Sequence, residues 1–138
     1  MTPRFKPFKA TSPTQRKGHT YEDIAKHYLK KKGLSLITTN YTCQCGEIDL
    51  IMKDGETLVF IEVRYRSNKQ YGSALESVNT KKQRKIIQSA QSFLQHSPWA
   101  TKLNCRFDVL GISPSAQQLA NSHDTRLEVN WIQSAFIS

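Results

Sequence analysis

Apolar and polar positions follow two different periods along this chain. Apolar residues recur at helical spacing over residues 20–32 and 80–95, which predicts two amphipathic helices. Runs rich in β-branched and apolar residues predict five strands, at 34–42, 46–53, 56–66, 103–112 and 126–132. The order α-β-β-β-α-β-β predicts an α/β fold in which a mixed β-sheet is flanked by helices.

Residues 1–17 have no apolar period and hold five basic residues, three prolines and no acid. We expect a basic disordered tail, because such a segment buries too little apolar surface to fold. A transit peptide is the alternative, whereas a secretory signal would need an apolar core that this segment lacks. Residues 18–138 then form a single domain, and no apolar run approaches the length of a membrane span.

The three cysteines indicate a reducing, cytoplasmic compartment, because their number is odd and no secretory signal precedes them. The spacing of Cys43 and Cys45 is too short for a zinc knuckle, and no second pair lies nearby. We therefore expect thiols packed in or beside strands, and no structural zinc site.

The formal net charge of +9 at pH 7 favours a polyanionic partner. Nucleic acid is the first choice and an anionic membrane surface the second. A basic protein that is merely soluble remains the third alternative. Charge alone therefore only inclines the interpretation toward nucleic acid.

A hairpin connects the second and third predicted strands. Asp54-Gly55 is a strong signal for a two-residue turn, and it would set Lys53 opposite Glu56. Counting back along both strands makes Asp49 and Glu62 diagonal neighbours on one face, with backbones about 7–8 Å apart. The opposite face is apolar and is predicted to be the core, with these residues: Ile48, Leu50, Met52, Val59, Ile61, Val63 and Tyr65.

Neighbouring carboxylates repel each other unless a cation neutralises them. Mg²⁺ or Mn²⁺ would do so, since hard divalent cations prefer oxygen ligands. The alternative is an exposed face whose acids are balanced by lysine and arginine, and spacing alone favours it because structural ion pairs are common. Asp108, which alternates with Arg106, is interpreted as such an ion pair, with a basic residue of the second helix as candidate partner.

Two motifs extend the interpretation, GEIDLI at 46–51 and FIEVRYR at 60–66. Further matching positions are Glu22, Ala25, Asn40, Lys81, Arg84 and residues 106–109. Over about residues 18–112 the chain resembles the uncharacterised bacterial family of the YraN type. That family in turn resembles the restriction-endonuclease-like fold, also written PD-(D/E)xK, and within it the archaeal Holliday-junction resolvases.

The resemblance implies hydrolysis of a phosphodiester with Mg²⁺ or Mn²⁺ bound by Glu22, Asp49 and Glu62. A main-chain carbonyl such as that of Val63 would complete the shell. The bound metal would polarise the phosphoryl oxygen and lower the pKa of a water molecule. Asp49 and Glu62 would thereby be catalytic as well as metal-binding.

The chain departs from the family pattern where the motif lysine is expected, because Arg64 stands there. Arginine stays protonated and is no general base, but it can hold a phosphate or neutralise a transition state. Lys81, or Lys82 beside it, is a candidate substitute. We therefore take Arg64 and Lys81 as candidate catalytic residues and treat turnover as a separate claim from nucleic-acid binding.

A basic rim is predicted around the acidic site, where the third strand ends and the second helix begins. Its members are Arg64, Arg66, Lys69, Lys81, Lys82, Arg84 and Lys85. Backbone N–H groups at a helix start also favour phosphate. The alternative is a solvated helix face, the commoner meaning of a charge run.

Three functions remain open from the sequence. The first is a metal-dependent nuclease or resolvase-like phosphodiesterase on structured or branched DNA, with DNA favoured over RNA. The second is a nucleic-acid-binding module that keeps the nuclease fold without turnover, and the third is an interaction protein with solvated acids. Junction resolution needs two sites and hence a homodimer, for which the sequence names no interface.

Overall fold

The computed structural model describes residues 20–67, 73–115 and 126–137. The tail predicted for residues 1–17 lies outside these ranges, as does Lys69 of the predicted basic rim. Within them, neither helix combines the length and apolar character of a membrane span.

The order of elements is the one predicted from the sequence. The helices are α1 (Tyr21–Lys31) and α2 (Thr80–Gln95), and a 3-10 turn follows at Pro98–Ala100. The strands are β1 (Ser35–Cys43), β2 (Gly46–Asp54), β3 (Thr57–Tyr65), β4 (Asn104–Pro114) and β5 (Leu127–Phe136). β5 continues four residues past the end predicted at 132, so the prediction was too short there.

The strands form one five-stranded sheet in the order β1-β2-β3-β4-β5. β1 and β2 pair antiparallel, as do β2 with β3 and β4 with β5, whereas β3 and β4 run parallel. Parallel neighbours need a crossover connection, and the segment that contains α2 supplies it. The α/β class and the mixed sheet are therefore confirmed.

Each helix begins at a side-chain cap that fixes the residues of its first turn. Thr20 caps α1 in a capping box with Asp23, which places Glu22 in the first turn. Asn79 caps α2 by accepting a hydrogen bond of 2.9 Å from the Lys82 N–H. Lys81 and Lys82 therefore lie at the N-terminal end of α2.

The β2–β3 turn lies one residue further along than predicted. Asp54 pairs with Thr57, so the loop is Gly55-Glu56 rather than Asp54-Gly55. Gly55 has φ of +60°, whereas Glu56 is not in the positive-φ region, a combination that fits a type II′ turn with glycine first. The Asp54 carboxylate also contacts Arg106 Nη2 at 3.0 Å, which helps to keep Asp54 in the strand.

Both faces of the sheet are buried, so the core is not confined to the apolar face predicted on the hairpin. One cluster under α2 contains Ile48, Ile51 and Phe60, and the other under α1 contains Leu50 and Ile61. Ile48 and Leu50 are two residues apart yet belong to different clusters, so β2 departs from strict alternation at Asp49. The side chains of Glu62 and Asp49 consequently lie among buried strands and not on an open face.

Candidate functional site

Asp49 lies in the middle of β2 and is 9% exposed. β2 and β3 pair from Leu50–Ile61 to Asp54–Thr57, and Asp49 and Glu62 are the next residues along the two strands. The Oδ2 atom of Asp49 accepts a hydrogen bond of 2.8 Å from the Val63 N–H. Burial raises the pKa of Asp49, and the hydrogen bond from Val63 offsets only part of that effect.

Glu62 faces Asp49 from β3 and is 5% exposed. Its Oε1 atom lies 3.3 Å from Arg64 Nη2 and 3.7 Å from Lys82 Nζ. Burial and, after it, the negative charge of Asp49 raise the pKa of Glu62 to about 7 despite these two cations. Glu62 is therefore partly ionised at neutral pH, because burial and Asp49 favour its protonated form while Lys82 and Arg64 favour its charged form.

Glu22 reaches the same place from the first turn of α1. Its carboxyl interacts with the Asp49 carboxyl and with the side chain of Asn40, which has an unusual φ of 50° within β1. Burial first, and the charge of Asp49 second, raise the pKa of Glu22 to about 7. The first turn of α1 and the strands of the β2–β3 hairpin thus bring Glu22 and Glu62 each into interaction with Asp49.

The acids do not form a ready cage for a cation. Among the residues that the structure describes, no group of three or more histidine, cysteine, aspartate or glutamate side chains is arranged to hold a metal ion at once. Mg²⁺, however, is commonly held by one or two carboxylates together with water and substrate phosphate. Asp49 with one neighbouring glutamate meets that lower requirement.

Lys82, and not Lys81, is the lysine of α2 that contacts the acids. The Lys82 side chain is about one-third exposed and pairs with Glu62, while Lys81 faces solvent. Arg64 also contacts Glu62, and its Nε atom is buried without a hydrogen-bond partner among the described residues. A buried donor of this kind costs free energy until an acceptor reaches it.

The predicted basic rim is present in part around these cations. Arg84 and Lys85 are exposed on α2, as Lys81 is, and the first turn of the helix contains no acid. Arg66 follows β3, and its N–H donates to the Ile112 carbonyl. The exposed cations therefore continue from the acidic site along the N-terminal half of α2.

Sequence reasoning assigned no function to two groups that complete the site. Asn40 matched the family pattern but received no role, and an asparagine inside a strand is the signal that marks it, because asparagine tolerates positive φ. The Val63 main chain was expected to offer its carbonyl, whereas its N–H is the group that contacts Asp49. Neither contact follows from residue spacing, since each joins two different elements of the fold.

Comparison with known proteins places these residues in a wider family. A sequence model described as Uncharacterised protein family UPF0102 matches residues 21–112, which is more than half of the chain. A UPF0102 protein of Stutzerimonas stutzeri (strain A1501) is 45% identical over 128 residues, covering 92% of this chain and 99% of the relative. One of Alcanivorax borkumensis is 46% identical over 121 residues, covering 88% and 91% respectively.

Proposed function

This chain belongs to the uncharacterised protein family UPF0102, and we propose that it is a divalent-metal-dependent phosphodiesterase that acts on structured DNA. The observation that supports the proposal most is the meeting of Glu22, Asp49 and Glu62 beside Lys82 and Arg64. Buried acids with raised pKa values beside cations are typical of functional sites. The mixed sheet and the position of these acids also agree with a restriction-endonuclease-like fold, which we include in the proposal.

The donor set suits Mg²⁺ or Mn²⁺. It consists of carboxylate oxygens, which hard cations prefer. Asp49 interacts with both glutamates and would therefore be the common ligand, with Glu22 or Glu62 beside it. Their mutual repulsion, which burial leaves poorly screened, would be relieved by a divalent cation.

The metal would act as a Lewis acid on the phosphoryl oxygen and would lower the pKa of an attacking water. The residues of the chain perform the remaining tasks. Arg64 is held by Glu62, and its partly exposed guanidinium would donate hydrogen bonds to a phosphate oxygen. Lys82 adds a second positive charge on the same carboxylate and balances charge that develops on the phosphate.

The substrate backbone would follow the N-terminal half of α2. Lys81, Arg84 and Lys85 are exposed there and lie next to Lys82, which contacts the acids. Lysine and arginine contacts to phosphate supply most non-specific affinity for DNA. The same helix thus links the groups that would bind the backbone to those that would cleave it.

A cleavage assay tests the proposal directly. The reduced full-length chain is incubated with Mn²⁺ or Mg²⁺ and labelled duplex, flap and four-way-junction DNA. We expect cleavage of at least one structured substrate, and Asp49→Asn should abolish it while leaving binding largely intact. The matched control is Glu56→Gln, which neutralises an exposed acid of the β2–β3 turn. Equal loss of binding and cleavage in the Asp49 variant would remove the metal-ligand role.

A second candidate function is a nucleic-acid-binding module without turnover. Two observations favour it, the arginine at position 64 and the lack, among the described residues, of a preformed three-acid cage. Arginine holds a phosphate but does not accept a proton. This function predicts salt-dependent DNA binding with no cleavage of any substrate under either metal, which the same assay distinguishes.

A further inference from the structure

The short turn between β1 and β2 brings two thiols together. Cys43 ends β1, and its Sγ atom lies 2.7 Å from that of Cys45 in the turn. Both side chains are partly exposed, so small reagents can reach them. We propose that Cys43 and Cys45 are a reversible oxidation site, which closes to an intramolecular disulfide by exchange with a low-molecular-weight disulfide such as glutathione disulfide.

The geometry of the turn favours a disulfide over a metal ion. Cys43 pairs with Gly46, so only Gln44 and Cys45 lie between the paired ends. The Sγ separation of 2.7 Å is shorter than two thiolates on one zinc ion allow, since Zn–S bonds of about 2.3 Å in tetrahedral geometry keep the sulfurs about 3.8 Å apart. The thiols are therefore placed to bond to each other.

Ser89 of α2 contacts the thiol pair. Its Oγ accepts a hydrogen bond from Cys43 Sγ at 3.5 Å and donates one of 2.8 Å to the Lys85 carbonyl. A Cβ added to Gly46 would lie 3.3 Å from the same Oγ, which shows how closely the turn packs on α2. The packing holds both sulfur atoms at the surface of the helix and limits the directions in which they can separate.

The two thiols differ in reactivity. Burial raises the pKa of Cys43, but hydrogen bonds from the Cys45 side chain and from the Cys45 and Gly46 N–H groups help to outweigh it, and the pKa falls to about 7. The hydrogen bond to Cys43, followed by burial, raises the pKa of Cys45. Because the thiolate is the nucleophile and attack is fastest with a pKa near ambient pH, Cys43 is the attacking residue and Cys45 the resolving one.

The exchange balances in two steps. The Cys43 thiolate attacks one sulfur of glutathione disulfide, forming a mixed disulfide and releasing one glutathione thiolate. The Cys45 thiol then loses its proton to solvent and attacks the Cys43 sulfur, which forms the internal disulfide and releases the second glutathione. The protein loses two electrons and two protons, and the glutathione disulfide gains both as two thiols.

The test uses full-length protein carrying Cys105→Ser, which leaves Cys43 and Cys45 as the only thiols. The reduced protein is equilibrated in glutathione buffers of rising oxidised fraction, quenched with acid and measured by maleimide labelling and intact mass. We expect both thiols to disappear together, with a mass loss of two hydrogen atoms and no adduct. Two thiols that remain at every ratio, or glutathione adducts that persist on the protein, would overturn the proposal.

Single substitutions test the assigned roles in the same background. Cys45→Ser leaves the attacking thiol without its partner, so a glutathione adduct should form quickly and accumulate. Cys43→Ser leaves only the resolving thiol, and its adduct should form several-fold more slowly at neutral pH. Thermal melting shows whether each variant is folded. Equal rates in two folded variants would contradict the assignment of Cys43 as the nucleophile.

Discussion

At the scale of single residues, burial and neighbouring acids raise the pKa values of the acids in the candidate site, while neighbouring cations lower them. Glu62 is attracted by Arg64 and Lys82, yet burial and Asp49 still raise its pKa to about 7. The metal-free site therefore disfavours the charge that a metal ligand must carry. Ionising its acids costs free energy, a pattern that is more frequent at functional sites than elsewhere in proteins.

Glu62→Gln tests this balance in the metal-free protein. Glutamine copies the protonated acid, so it should raise the melting temperature at pH 8 and change it little near pH 5, where Glu62 is already neutral in the folded state. Melting curves across this pH range measure the effect. Glu56→Gln is the control, since it removes an equal charge from an exposed turn. A lower melting temperature at pH 8 would mean that Lys82 and Arg64 outweigh burial.

Arg64→Lys separates the two proposed functions at one position. Lysine keeps the positive charge beside Glu62 but replaces the planar guanidinium and its forked donors with a single ammonium group. It also restores the residue that the family resemblance places at this position. If the chain is a binding module, we expect the variant to gain metal-dependent cleavage with DNA affinity changed less than tenfold. Cleavage by the original chain that falls in the variant would instead make the guanidinium part of the catalytic apparatus.

At the scale of elements, the sequence pattern within each segment predicted its secondary structure. The errors arose where contacts between segments decide the outcome. Helical spacing located α1 and α2, and β-branched runs located all five strands. The end of β5 was missed because Ser134, with φ of 50°, donates its N–H to Asp108 across the sheet. The turn was misplaced by one residue for a similar reason, since Asp54 is held in β2 by Arg106.

The residues of the candidate site were also predictable from the sequence, whereas their contacts were not. Counting along the hairpin placed Asp49 near Glu62, although the register was wrong, and the family resemblance added Glu22. The choice between Lys81 and Lys82 depends on the Asn79 cap and the rotation of α2, which neighbouring sequence does not determine. Residue types were therefore predictable, whereas the contacts between elements were not.

The buried Asp108 joins β4 to β5 and gives a prediction at this scale. It is 0% exposed and accepts hydrogen bonds from Arg106 Nε, Trp131 Nε1 and the Ser134 N–H, so it is an ion pair as predicted, but with its own strand and not with α2. Asp108→Ala should cost about 3–5 kcal/mol, because it leaves the Arg106 charge without its buried partner. Urea unfolding measures the loss.

The control for that experiment is Asp54→Ala, which removes the other carboxylate on Arg106. The Asp54 side chain is 40% exposed, at 3.0 Å from Arg106 Nη2, so the substitution should cost less than about 1 kcal/mol. Similar losses in both variants would show that the contact with Arg106, and not the burial of Asp108, determines the stability of this corner of the sheet.

At the scale of the whole molecule, charge is divided between a basic chain and an acidic site. The net charge of +9 would steer DNA toward the protein, while the acids would repel phosphate until a cation covers them. The proposed DNA binding and catalysis should consequently depend on salt and metal in different ways. Each dependence can be measured without knowing the natural substrate.

The exposed cations of α2 should account for a measurable part of the salt dependence. Lys81 and Lys85 lie four residues apart and are both exposed, so they face the same side of the helix. Replacing both with glutamine should reduce the slope of log affinity against log salt by about 2, from two lost phosphate contacts. Glutamine at Lys30 and Lys31, exposed at the far end of α1, is the charge-matched control. Equal reductions of the slope by the two double substitutions would show that net charge, and not the exposed cations of α2, determines the salt dependence.

The pH dependence of stability combines the site with the fold. Glu22 and Glu62 have pKa values of about 7 against an ordinary value of 4.5, so between these limits the folded state binds more protons than the unfolded state. The stability of the metal-free protein should therefore fall as pH rises from about 4.5 to 7. Mn²⁺ competes with those protons, so it should raise the melting temperature strongly at pH 8 and little at pH 5.5. A rise independent of pH, or one that survives in Asp49→Asn, would contradict metal binding at these acids.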